Sequence, residues 1–268
     1  MNSGKPRRQC ECSRKMNLIF YCSQLTGHLP VAPRAVEITI LEIVCLGNFL
    51  IQTGEDVIVK QMEVGRMAVF AYLVGCEKTK EALVIDPAGD EDRILEEARK
   101  KGLQIKYIVN THFHVDHILG NKRMQDLTGA TIVIHEKEAY ALTHQSQQML
   151  NMFGAKASPT AGKTVKEGDV ITVGEVNLSV IHTPGHSPGA ICLYGHGLVF
   201  TGDTLFVGGV GRTDLEGGSW EVLASSIRNK LFTLPDSTVV LPGHNYGSAP
   251  KSTIGMEKAN NPYVGSRS

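Results

Sequence analysis

The spacing of apolar and polar positions divides the chain into two regimes. Residues 1–56 show no clean period and hold four of the six cysteines, scattered basic residues, Pro30 and Pro33. From Val57 the pattern sharpens. Val57 to Met62 and Met67 to Val74 read as strands joined by a turn at Gly65, and Ala82 to Ile85 as a third ending at Asp86-Pro87. Asp90 to Lys101 has helical spacing at Ile94, Leu95 and Ala98, acidic residues early, basic residues late, and Gly102 as a stop. Ile105 to Asn110 reads as a buried strand.

The second half continues in the same style. Helix is expected over Leu119 to Leu127, most of Lys137 to Phe153, and Trp220 to Phe232. Strands are expected at Thr131 to His135, Val170 to Val173, Val176 to His182, Ala190 to Tyr194, Leu198 to Thr201 and Thr238 to Leu241. Strand clusters with interspersed helices, arriving twice, predict an α/β fold of two sheets packed face to face with helices outside. Two regions follow: an N-terminal extension over 1–56 and one domain over 57–268.

Composition narrows the class. With 268 residues, 42% of them hydrophobic, the chain can bury one substantial core. Lysine plus arginine and aspartate plus glutamate balance at 27 each, so no whole-chain field recruits nucleic acid or an anionic membrane. The longest apolar candidate, Val36 to Ile51, is short for a membrane span and carries Glu37 and Glu42. No signal peptide is read in the basic N-terminus, and the expected compartment is the cytoplasm. The six cysteines, at 10, 12, 22, 45, 76 and 192, fit no disulfide scaffold and read as reduced thiols.

The chemistry concentrates after the strand Ile105 to Asn110. His112, His114, Asp116 and His117 fall within six positions, and on a loop 112 and 114 can face one point while 116 and 117 face another. Imidazole and carboxylate suit zinc, iron or manganese. Three later segments set one such group beside glycine at a strand end: His186 in Thr183 to Gly189, Asp203 in Thr201 to Thr204, and His244 in Leu241 to Tyr246. His28, His135, His144, His182 and His196 stand singly and receive no role, although His182 is close enough to support a ligand.

In that order, His112-x-His114-x-Asp116-His117, His186, Asp203 and His244 resemble the metal-binding set of the metallo-β-lactamase superfamily. The resemblance covers about Val57 to Val264. It is closest to the glyoxalase II-like, hydroxyacylglutathione hydrolase-like branch, through Gly202 to Phe206 and Gly208 to Arg212. It implies an αββα sandwich of two mixed sheets flanked by helices. It also implies two divalent metal ions, zinc first and iron or manganese as alternatives. His112, His114 and His186 would hold one ion, Asp116, His117 and His244 the other, with Asp203 bridging. A water shared by two metals about 3.5–4 Å apart is the expected nucleophile, so Asp116 and Asp203 carry the catalytic assignment.

The implied substrate is a small-molecule thioester, whose thiolate leaves without a dedicated acid. Arg212 and Tyr246 match substrate-binding positions of the branch. The chain ends without the helical region that helps hold glutathione, and an aromatic expected near 214 is Asp214. A small acyl thioester is therefore the expected substrate, and whether it contains glutathione stays open. Two alternatives remain: a persulfide dioxygenase using one Fe(II) on His112, His186 and Asp203, and a lactone hydrolase. No nucleic-acid or membrane partner is expected, and nothing in the sequence sets an oligomeric state. Gly54-Glu55 would be encoded by a purine run like a ribosome-binding site, so translation is expected to start at Val57. The alternative is a genuine cysteine-bearing tail with a partner or regulatory role. Either way, little stable packing is expected before about residue 57.

Overall fold

The computed structural model describes residues 48–52 and 56–266. The first sheet has seven strands adjacent in chain order: β1 (Asn48–Gln52), β2 (Val57–Val64), β3 (Val69–Cys76), β4 (Glu81–Ile85), β5 (Gln104–Val109), β6 (Thr131–His135) and β7 (Lys163–Val165). Pairing is antiparallel through β4 and parallel from β4 to β7. The parallel part needs crossovers. These are supplied by α1 (Glu91–Lys100), then α2 (Val115–Ile118) with α3 (Asn121–Thr128), then α4 (Ala139–Thr143) with α5 (Gln147–Phe153).

The second sheet is built from β8 (Val170–Val173), β9 (Val176–His182), β10 (Ile191–Gly195) and β11 (Leu198–Gly202). A small hairpin of β12 (Leu205–Phe206) and β13 (Gly209–Val210) and helix α6 (Trp220–Asn229) precede β14 (Val239–Pro242), β15 (Ser252–Thr253) and α7 (Ile254–Asn260). The spatial order is β15-β14-β11-β10-β9-β8, and the β11–β14 pair is parallel where its neighbours are antiparallel. Both sheets are therefore mixed, and the architecture is the expected αββα sandwich.

Strand β3 shows why the layers form. Its eight residues are all buried, and alternate positions serve opposite faces. Phe70, Tyr72, Val74 and Cys76 join residues of the second sheet, among them Val180, Leu193 and Phe200, in the central core. Val69, Ala71 and Leu73 face a core shared with Ile94 and Leu95 of α1 and Met124 of α3. A third cluster packs Leu223 and Ile227 of α6 and Ile254 of α7 beneath the second sheet. Cys76 and Cys192 are buried and unpaired. The other four cysteines lie outside the described residues.

Differences from the sequence reading are local. Strand β1 lies upstream of residue 57 and pairs with β2 from Asn48↔Met62 to Gln52↔Ile58, while 1–47 lie outside the described residues. The helix expected over Leu119 to Leu127 starts earlier and divides at Leu119-Gly120, where a Cβ on Gly120 would lie 2.1 Å from the Pro87 carbonyl oxygen. The helix expected over Lys137 to Phe153 breaks at His144, and Ser146 caps the following segment by accepting from the Met149 amide. Among the described residues, no helix is long and apolar enough to cross a membrane.

Candidate metal centre

Every candidate ligand follows the C-terminal end of a strand: His112 to His117 after β5, His186 after β9, Asp203 after β11 and His244 after β14. Strand ends place polar groups at the margin of an apolar core, where they can converge without crossing it. Buried Val115 and Ile118 seat α2, and His117 is carried in the same short turn. The chain's course near His244 is fixed from the first sheet. The Tyr72 hydroxyl donates to the Pro242 carbonyl at 2.6 Å, and the Phe70 amide donates to the Gly243 carbonyl at 2.8 Å. Gly243 admits no side chain, since a Cβ there would lie 2.5 Å from Asp203 Oδ1.

The converging atoms form two groups. His114 Nδ1 lies 2.9 Å from His186 Nε2, which is 3.2 Å from His112 Nε2. His117 Nε2 lies 3.1 Å from His244 Nε2, and Asp116 Oδ2 is 3.4 Å from the latter. Asp203 reaches both groups: Oδ2 is 3.6 Å from His186 Nε2 and 3.4 Å from His244 Nε2, while Oδ1 is 3.3 Å from His117 Nε2. Each of the two groups has the donor atoms and closeness to hold a metal ion.

The outward nitrogens of four of the five histidines have partners. His117 Nδ1 donates to Asp86 Oδ2 at 3.0 Å, His186 Nδ1 to the Arg212 carbonyl at 2.8 Å, and His244 Nδ1 to the Met67 carbonyl at 2.8 Å. His112 Nδ1 faces Thr111 Oγ1 at 3.1 Å. Such outer bonds fix the tautomer and aim the remaining nitrogen inward. Asp203 Oδ1 is buried and makes no hydrogen bond. Imidazole nitrogens crowded at 2.9–3.2 Å, beside a buried carboxylate that reaches both groups, fit cations between them. Asp86 also lies near His112 and His117, but its oxygens are engaged by the Thr111 amide, the Thr111 hydroxyl and His117, which makes it a support.

Electrostatics separate the two groups. Burial, reinforced by neighbouring histidines, holds His112 far below the ordinary imidazole range, lowers His114 to about 4, and lowers His186. These imidazoles are neutral and present lone pairs. Burial opposes protonation of His117 and His244 too, but the Asp203 and Asp116 carboxylates outweigh it. His117 rises well above its usual value and His244 to about 9. Burial works against the Asp203 carboxylate, yet His117 and His244 hold it well below its ordinary range.

The seven expected ligands thus converge at one end of the sandwich, beneath a cavity of about 770 Å³ that Arg212 and Tyr246 also line. Residues 64–244 match the metallo-beta-lactamase superfamily. The chain belongs to that superfamily. Among metallo-beta-lactamase superfamily relatives, it is 32% identical over 219 residues to the hydroxyacylglutathione hydrolase GloC of Haemophilus influenzae, covering 77% of this chain and 100% of that one. It is 33% identical over 214 residues to the mitochondrial persulfide dioxygenase ETHE1 of Bos taurus, covering 78% and 77%. The structure of TTHA1623 in a di-iron-bound form superposes with a TM-score of 0.67 at 30% identity, covering 76% of this chain and 98% of that one.

Within the superfamily site, Tyr246 stacks on His244 with ring centroids 4.4 Å apart and planes at 10°. The Arg212 carbonyl accepts from His186, while its guanidinium pairs with Asp214 at 2.7 and 2.6 Å. His182 stacks on His135 at 4.2 Å and has no bond to a ligand. The sequence reading passed over two supports. Asp86 left a trace as a polar residue ending a buried strand. Glu138 left none: it sits in the charged run Glu136-Lys137-Glu138, yet it is 1% exposed and accepts from the Ser187 hydroxyl and the Gly189 amide.

Proposed function

We propose that the chain is a dinuclear-metal hydrolase of small acyl thioesters, with zinc as its metal, working in the cytoplasm without a nucleic-acid or membrane partner. One observation carries this reading: Asp203 lies between two complete donor groups, His112/His114/His186 and Asp116/His117/His244. Bound there, divalent ions would supply a water acidified towards neutrality and polarise the scissile carbonyl. The chain's own part is positional. Asp116, one-fifth exposed at the cavity floor, accepts a hydrogen bond from the attacking water and turns its lone pair to the carbonyl. Asp86 and the Met67 and Arg212 carbonyls keep the imidazoles aimed inward. The carbonyl carbon gains an oxygen from water and loses sulfur, and the thiolate departs with the C–S electron pair.

The second reading is a persulfide dioxygenase with one Fe(II) on His112, His186 and Asp203, the activity borne by the name of one relative. The intact group of Asp116, His117 and His244 favours the hydrolase, because one iron would leave those three donors unused. Metal quantification on protein purified without chelator, paired with a thioester, persulfide and lactone panel, tests the choice. Two metals per chain and thioester turnover are expected. Oxygen uptake with a persulfide and one iron per chain would overturn the proposal.

A further inference from the structure

We infer that the substrate's acyl group is apolar and uncharged, a short to medium aliphatic chain, and that an anionic thiol such as glutathione is disfavoured. The inference rests on the hydrolase reading for its reaction and on the cavity walls for its content. Above the ligand floor, the cavity of about 770 Å³ is walled by Met67, Phe113, Met149, Met152, Phe206 and Leu215. Met67, Met149 and Met152 are 41%, 40% and 68% exposed, so large apolar groups gather around one opening. Singly exposed apolar residues are ordinary, but a cluster rimming a concavity marks a surface that is covered when a ligand binds. Methionine suits chains of varying length, because its unbranched side chain reshapes at little cost.

The charges on the same walls point the same way. Among the described lining residues, Arg212 is the only lysine or arginine. Both its Nε and one terminal nitrogen are taken by Asp214. Glu216 adds a negative charge to that wall. A carboxylate on the substrate would have to compete with Asp214 for that arginine and would meet an acid beside it, whereas an aliphatic chain would leave water for methionine and phenylalanine. The departure at Asp214 therefore acts on specificity: it occupies the cation that an anionic substrate would need.

The test uses zinc-loaded protein and S-acyl-N-acetylcysteamine thioesters from acetyl to octanoyl, with the succinyl thioester and S-lactoylglutathione as anionic members. The expected kcat/KM rises by up to about fourfold per added methylene, as for burial of one CH2, and both anionic members fall below hexanoyl. Met152→Gln flattens the chain-length gradient. Asp214→Asn releases Arg212 and raises the succinyl-to-hexanoyl ratio about fivefold, as expected for an exposed ion pair near 1 kcal/mol. Binding of ketone analogues, with CH2 in place of sulfur, is measured by calorimetry in parallel. A flat or inverted gradient in turnover and affinity, or a preference for lactoylglutathione, overturns this inference and leaves the hydrolase standing. Chain-graded ketone binding without turnover of any thioester overturns the hydrolase and leaves the apolar cavity.

Discussion

Asp86 and His117, 31 positions apart, meet in a buried hydrogen bond of 3.0 Å between Asp86 Oδ2 and His117 Nδ1. The same carboxylate receives the Thr111 amide at 2.8 Å and the Thr111 hydroxyl at 2.6 Å. One aspartate at the end of β4 thus ties down the start of the histidine run and aims its last member. Removing an outer partner of a metal-bound histidine lowers affinity or activity about 10- to 100-fold. Asp86→Ala should do so, with the weakened ion being the one on His117. Zinc competition titration reads this directly, and two unchanged affinities would refute the role.

Tyr72 links the sheets to the site. Its buried hydroxyl accepts from Gln61 Nε2 at 3.0 Å and donates to the carbonyl of Pro242, two residues before His244. Tyr72→Phe strands the buried Pro242 carbonyl and leaves Gln61 Nε2 only its bond to the Pro250 carbonyl, so a loss of about 1–3 kcal/mol in urea denaturation is expected. A loss within error would show that water replaces the hydroxyl.

Gly243→Ala sets a methyl 2.5 Å from Asp203 Oδ1, with the Gly202 carbonyl carbon 2.8 Å away. The Gly202 neighbour is backbone, and Asp203 is a short carboxylate wedged among the site histidines. Overpacking of this kind costs about 1–3 kcal/mol, and the displaced Asp203 should lower metal content and activity together. Wild-type metal content in a folded Gly243→Ala protein would contradict the geometry.

These supports explain what was legible in the sequence. His112 to His117 could be read because four ligands share one loop, and His186, Asp203 and His244 because each follows an apolar strand beside glycine. Strands β6, β8 and β9 match their expected limits, since each is a period-two or fully apolar run ended by turn residues. Strand β7, Lys163–Val165, was missed: three residues, two of them exposed, give no pattern. Helix α7 carries Gly255 in its first turn, and its buried positions are only Ile254 and Glu257. Asp86 and Glu138 could not be assigned because their partners, Thr111 and His117 or Ser187 and Gly189, are brought near only by tertiary folding.

Glu138 supplies a pH test. Burial, only partly offset by the Ser187 hydroxyl and Gly189 amide, raises its pKa from 4.5 to about 7. Its folded state binds more protons than the unfolded state between those values, so stability falls as pH rises. Its contribution is present below about 4.5 and lost as pH rises through about 7. Wild type should lose stability relative to Glu138→Gln across that window, by denaturation at fixed metal loading. Parallel curves would show that Glu138 titrates normally.

Two ions acting together on a thioester are the centre of the proposed function. Zinc titrated into metal-free protein, with bound metal and hexanoyl-thioester turnover followed in the same samples, tests it most directly. The expected result is a plateau at two zinc per chain, with Asp203→Ala losing metal and about 10³-fold in activity, as when a transition-state stabilising group is removed. Saturation at one metal, with thioesters untouched and a persulfide consuming oxygen once iron is supplied, would contradict it.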